Sequence, residues 1–413
     1  MEMTEFKEIQ ERVILVGVQQ AAGDDTEESV RELGDLAQTA GAQAVASVIQ
    51  RREKIHPGTY IGKGKLDEVR ALLWETEATG IICDDELSPA QLNNLQSELD
   101  CKVMDRTLLI LDIFARHAAS SEGKLQVELA QLRYRAARLA GLGSSLSRLG
   151  GGIGTRGPGE KKLEMDRRLI RTRISHLKRE LEEVIRHREL IRSQRRRAQQ
   201  KIVALVGYTS VGKSAIFRTL TGADVLEDAK LFATLDTTTR GIRLSGSQEV
   251  LLTDTVGFIR KLPHHLVEAF KSTLEEVCCA DILIHVVDSS SSQMEAQMQV
   301  VYETLHELGA DGKPVITVFN KQDLLAEPQS FRDFRAERSI LSSAHTGQGM
   351  EELKDAVSDV LRSQKIYIER LYPYEKAGLI QLIRKKGELI EEKYQEDGIF
   401  VRAYVPESIY MNV

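Results

Sequence analysis

Short apolar runs and helical periodicities alternate through the first hundred residues. VILVGV (13–18), GIIC (80–83) and KVM (102–104) are separated by amphipathic stretches at 64–77 and 88–99. Apolar runs that alternate with helices are the signature of a parallel α/β sheet. From Leu125 the spacing changes. Leu125, Leu129, Leu132, Ala136 and Leu139 recur at 4-3-4-3, and Ile170, Ile174, Leu177, Leu181 and Val184 keep a comparable spacing. Both series are coiled-coil seams, so the pattern predicts an antiparallel helical hairpin with arms on the order of 30–40 Å at 1.5 Å per residue. The stretch between them, LGGGIGTRGPGEKK (149–162), forms its tip. Strands and helices alternate again from Lys201 to about Lys365. The chain closes in a small α+β piece whose cue is the Asp397-Gly398 turn in YQEDGIFVRAYV. The expected fold is α/β and multidomain: an N-terminal α/β domain (1–118), a basic helical hairpin (119–198), a nucleotide-binding domain (199–365) and a C-terminal α+β domain (366–413).

Composition narrows the class. Among 413 residues, 42% are hydrophobic and 29% charged, which is ordinary for a globular chain. No stretch approaches the roughly 18 uncharged residues of a membrane span, and MEMTEFKEIQ lacks the apolar core of a signal peptide. The expectation is a cytoplasmic protein, monomeric and without membrane insertion. Cys83, Cys101, Cys278 and Cys279 form no C-x-x-C pair, so neither a disulfide framework nor a zinc site is expected, and we read them as small buried residues. The net charge of −6 conceals a basic second arm: Arg167, Arg168, Arg171, Arg173, Lys178, Arg179, Arg186, Arg188, Arg192 and the run Arg195–Arg197. Glu180, Glu182, Glu183 and Glu189 neutralise part of it through i,i+4 pairing. The remaining excess, next to a glycine-rich tip, favours a polyanionic partner.

IVALVGYTSVGKS carries the most specific chemistry. An apolar strand runs into Gly207-Tyr208-Thr209-Ser210-Val211-Gly212-Lys213-Ser214 and then into a helix-like stretch. In such a P-loop, backbone N–H groups wrap phosphate oxygens, the lysine neutralises the β- and γ-phosphates, and the serine hydroxyl binds Mg²⁺. At the end of a later strand stand Asn320-Lys321-Gln322-Asp323. The Asp323 carboxylate suits the two adjacent donors of guanine, N1–H and the exocyclic amine, which adenine does not present, and this favours GTP over ATP. Asn320 can hydrogen-bond the base edge and tie this loop to the P-loop, and Lys321 lays its stem over the purine. Ser342-Ser343-Ala344, at the next strand end, offers a backbone N–H to guanine O6. In Asp254-Thr255-Val256-Gly257, Asp254 suits a Mg²⁺-water ligand and Gly257 the residue whose N–H senses the γ-phosphate.

These residues together resemble the HflX-type translation GTPases, relatives of the Obg group. GTYIGKGKLDEV, DDELSPAQLNNLQ, DRTLLILDIFARHAASSEGKLQVELAQL, the glycine loop and the nucleotide motifs extend the likeness over nearly the whole chain. The resemblance implies a GTPase bound to ribosomes, chiefly the large subunit and its rRNA. It further implies that the tip enters the peptidyl-transferase region, and that the protein splits stalled ribosomes under stress. It matches Thr234, within Phe232-Ala233-Thr234-Leu235-Asp236, to the threonine that binds Mg²⁺ in the GTP state. Two positions depart from the family's habit, Ser210 where asparagine is frequent and Thr237 where proline is frequent. Phe258, shared with the family, stands where Ras-like proteins carry the water-orienting glutamine. No catalytic residue is thereby identified, and hydrolysis is expected to be slow until a partner supplies the missing group. On this reading Gly151, Gly152, Arg156, Lys161 and Lys162 contact RNA through backbone and phosphate interactions. Two alternatives stay open: an RNA-remodelling NTPase with a second nucleotide site at Gly62-Lys63-Gly64-Lys65, and a GTP switch acting on a protein effector.

Overall fold

The computed structural model describes residues 10–20, 25–147, 158–197, 200–222, 231–232, 237–244, 248–261, 271–327 and 329–411. Two compact units emerge. The first comprises residues 1–187 with 228–236 and 259–272; the second comprises 188–227, 237–258 and 273–413.

In the first unit, β1 (Arg12–Gln19), β2 (Gln43–Arg51), β3 (Gly80–Cys83) and β4 (Lys102–Asp105) form a parallel sheet in the order β2-β1-β3-β4. The connections are α1 (Thr26–Thr39), α2 (Lys63–Glu75) and α3 (Pro89–Leu99), and α4 (Arg106–His117) follows the last strand. Leu66 and Val69 of α2 and Leu95 of α3 share one core with Ile14, Val16 and Ile81 of the sheet. On the other face α1 packs so tightly that a Cβ on Gly17 would lie 2.6 Å from a Val30 methyl. The start of α3 is written in its sequence. Ser88 and Gln91 cap each other's backbone N–H groups and Pro89 takes the first turn, an arrangement worth about 1 kcal/mol.

The hairpin consists of α5 (Ser121–Ser147) and α6 (Pro158–Arg197). Arg173 pairs with Glu128 at 2.7 Å, and Arg167 donates to the Leu139 carbonyl, so the helices run antiparallel. Leu129 and Leu177 are buried in the seam while most of the described basic side chains on α6 are exposed. At 1.5 Å per residue, the 40 residues of α6 span about 60 Å. This arm is longer than the seam implied because the helix continues through the arginine run. Residues 148–157, which include Gly151, Gly152 and Arg156, lie outside the described residues.

The second unit is built on β5 (Lys201–Gly207), β6 (Thr238–Arg243), β7 (Glu249–Asp254), β8 (Ile282–Asp288), β9 (Val315–Asn320) and β10 (Arg338–Leu341). Their order is β10-β9-β8-β5-β7-β6, parallel except for β6 against β7. The helices of this unit are α7 (Lys213–Thr221), α8 (Lys271–Cys279), α9 (Met294–Glu307) and α10 (Met350–Ser363). The chain ends in an antiparallel sheet of β11 (Ile366–Tyr372), β12 (Glu388–Gln395) and β13 (Gly398–Val405), covered by α11 (Ala377–Lys386). Its hairpin closes where Gln395 pairs with Gly398. The cysteine expectation holds for Cys83, which is buried. It fails for Cys279, the exposed last residue of α8.

Candidate functional site

The phosphate loop follows β5, the strand where the parallel order reverses, and that is where ligands bind in open α/β sheets. Gly212 has φ of 98° and Ser210 of 58°, so the loop turns through left-handed backbone. Gly212 also lacks room for a side chain, because a Cβ would lie 2.3 Å from Asn320 Nδ2. Lys213 Nζ donates to the Gly207 and Tyr208 carbonyls at 3.1 and 2.6 Å. Burial pushes its pKa down to about 8, with Asp254 opposing the shift. Ser214 Oγ donates to Asp254 Oδ2 at 2.7 Å.

The segment after β7 is stitched to this loop. Phe258 N donates to the Gly207 carbonyl, and Thr209 N donates to the Phe258 carbonyl. The Phe258 side chain itself is buried in the interior. A Cβ on Gly257 would sit 3.0 Å from Lys213 Nζ, which puts the Gly257 backbone against the phosphate-loop lysine. Thr255 Oγ1 donates to the Leu205 carbonyl, and Val256 is buried.

Asn320 joins three motifs. Its Nδ2 donates to the Val211 carbonyl at 2.9 Å, and its Oδ1 accepts from Ala344 N at 2.9 Å and Ser342 Oγ at 3.4 Å. The backbone N–H groups of Ser342, Ser343 and Ala344, one of which was expected to reach guanine O6, are engaged in this structure with the Phe319 carbonyl, the Gln348 carbonyl and Asn320 Oδ1. Asp323 is exposed, and a hydrogen bond from Ser343 Oγ at 2.5 Å holds its carboxyl below the usual range and fixes one oxygen. Lys321, at φ of 65°, pairs with Asp288 at 2.7 Å, and Gln322 N donates to the Ser342 carbonyl. Asp288 was not anticipated; its signal was the acid ending the apolar strand ILIHVVD.

Of the other expected site residues, some lie outside the described residues. Phe232 belongs to the first unit, buried edge-on against Phe114 of α4 with ring centroids 4.7 Å apart. Ala233, Thr234, Leu235 and Asp236 lie outside the described residues, as do the side chains of Lys161 and Lys162. In the glycine–lysine turn of the N-terminal sheet, Gly62 N donates to Gln50 Oε1 at 2.8 Å, and Lys65 pairs with Glu68.

A second cluster escaped the sequence reading. Asp84, at the end of β3, is fully buried and accepts from Arg106, Ser29 and Lys261. Lys261 also reaches Asp85 at 2.8 Å, and Arg260 pairs with Asp25. Burial alone would raise the Asp84 pKa, but Arg106 and Lys261 hold it below the ordinary value. The stretch just past Phe258 is thus bound by charge to the C-terminal edge of the first unit's sheet.

A P-loop with a buried lysine, a serine–aspartate oxygen pair and an Asn-Lys-x-Asp loop braced by Ser343 define a P-loop GTPase. Sequence comparison agrees along the chain. Residues 27–115 match the family described as GTP-binding GTPase N-terminal, 117–195 match GTP-binding GTPase Middle Region, and 202–321 match 50S ribosome-binding GTPase. GTPase HflX of Lacrimispora saccharolytica is 61% identical, covering 100% of this chain and 97% of the relative. GTPase HflX of Escherichia coli K12 is 40% identical, covering 94% and 92%. The chain belongs to the HflX family of GTPases and hydrolyses GTP.

Proposed function

We propose that the chain docks on the large ribosomal subunit in its GTP form, splits stalled ribosomes under stress, and leaves after hydrolysis. The observation that carries partner dependence is Phe258. Its side chain is buried and its backbone is tied to Gly207 and Thr209, so this position offers no polar group to orient the attacking water. The family description of residues 202–321 supports the ribosome as the partner that completes the site. The exposed basic face of α6 supports binding to rRNA phosphates, and the glycine tip supports entry into a narrow RNA cavity.

The residues present fit a magnesium ion. Ser214 Oγ and Asp254 Oδ2 are hard oxygen donors 2.7 Å apart, of the kind Mg²⁺ selects. Ser214 would bind it directly, Asp254 through water, and Thr234 in the GTP state. When bound, the ion neutralises charge developing on the β- and γ-phosphates. The chain's own residues do the rest: Lys213 carries positive charge to the same phosphates, Asp323 reads the base, and Gly257 brings a backbone N–H to the γ-phosphate.

The test is GTP hydrolysis by the purified protein with and without large ribosomal subunits. We expect slow turnover alone and a rise of at least tenfold with subunits. Equal rates would overturn the reading.

A further inference from the structure

An aromatic side chain on the second unit has no role in the nucleotide site. Phe334 is 86% exposed, yet its loop is firmly anchored. One residue on, Arg335 N donates to Asp333 Oδ1. The Asp333 carboxylate also accepts from Tyr302 Oη at 2.5 Å and Thr317 Oγ1 at 2.7 Å. Phe331 stacks on Phe319 of β9 at 5.2 Å, and Glu337 N donates to the Val315 carbonyl. With the backbone on both sides fixed, the phenyl ring projects from a rigid support, so little ordering cost remains to oppose a partner. A cation stands directly on it. Arg332 lies over the Phe334 ring at 5.3 Å, Arg335 is exposed with its guanidinium over the Tyr302 ring at 4.9 Å, and Arg338 pairs with Asp359 at 3.5 Å. The acid in the middle, Asp333, is buried and satisfied, and the exposed carboxylates among the described residues of the loop are Glu327 and Glu337.

We propose that Phe334 is a stacking platform for an unpaired nucleobase of RNA, with Arg332 and its neighbouring arginines on the flanking phosphates. A flat aromatic face beside guanidinium groups is how proteins hold single-stranded nucleic acid: the ring takes any base and the cations take the backbone. A protein partner would be expected to bring a closed apolar pocket for the ring, and the Arg332 guanidinium lying over it would disfavour one. The inference rests on the proposed ribosomal role only for the source of the RNA.

Two probes test it: a fluorescently labelled, unstructured 12-nucleotide RNA read by anisotropy, and large ribosomal subunits read by co-sedimentation. Phe334→Ala is expected to weaken both about tenfold. Phe334→Trp should retain binding, and Phe334→Leu should behave like the alanine variant because it keeps apolar bulk without a π-face. Arg332→Gln should lower the salt slope by about one unit. Parental affinity in Phe334→Ala would overturn the proposal, as would full rescue by leucine, which would indicate a protein pocket. Failure of the parent protein to sediment with subunits would overturn the ribosomal reading instead. Binding of the 12-mer reports on Phe334 independently.

Discussion

Lys213 shows how burial sets a functional property at the scale of one residue. Among the described residues its ammonium is held by two carbonyls and the nearby Asp254 charge, and desolvation brings its pKa to about 8 against an ordinary value of 10.5. Nucleotide phosphates restore the charged form, so binding above pH 8 must take up a proton, whereas below pH 8 the lysine is charged in both states. GTP affinity should therefore be flat up to about pH 8 and fall several-fold by pH 9. Calorimetry in buffers of different ionisation enthalpy checks this through the proton uptake. Lys213→Arg, always charged, should bind more weakly but without the pH dependence. Affinity unchanged between pH 7.5 and 9 would contradict the assignment. At this scale much was legible in the sequence. Asn320 does tie its loop to the P-loop, because a side-chain amide has a donor for Val211 and an acceptor for Ala344. The engagement of Ala344 N was not legible, since it depends on where the Asn320 amide ends in space.

Among the secondary-structure elements, periodicity announced the parallel sheet and the hairpin seam but not the cluster around Asp84. Motif spacing reveals interactions that are local or repeated. The partners of Asp84, Ser29, Arg106 and Lys261, stand 55, 22 and 177 residues away, and no local pattern joins them. β2 is hard to read for a related reason, since this sheet-edge strand is mostly exposed or half-buried and mixes apolar positions with Gln43, Ser47 and Gln50. The cluster makes a firm energetic demand. Arg106 is 1% exposed, and Asp84→Ala would leave its guanidinium with only Glu32, backbone carbonyls and Ser29 as partners. Removing one partner of a buried ion pair costs about 3–5 kcal/mol, so the first unit's urea midpoint should drop sharply. Lys261→Met leaves the Asp84–Arg106 pair intact and should cost far less. Equal losses in the two variants would mean that the cluster is held together at Lys261 rather than at Arg106.

At the scale of the whole molecule, the nucleotide motifs and the glycine tip are separated along the chain by the 40-residue α6, so their functions should be separable by mutation. Deleting 150–158, or replacing Gly151 and Gly152 with bulky residues, changes neither Lys213 nor Asp323, and basal GTP binding should survive. If the tip acts by entering an RNA cavity, ribosome-stimulated hydrolysis and subunit splitting should fall while initial docking on the basic face of α6 persists. Replacing Arg156, Lys161 and Lys162 with glutamine should act differently. Every cation taken off a phosphate lowers the slope of log affinity against log salt by roughly one unit, so binding should weaken most at low ionic strength while the tip keeps its shape. Sedimentation with large subunits across a salt series, run beside a splitting assay on intact ribosomes, distinguishes the two classes. A deletion that splits ribosomes at the parental rate would make the hairpin a spacer. A charge variant with an unchanged salt slope would place the phosphate interactions elsewhere, with the arginines of α6 as the next residues to neutralise.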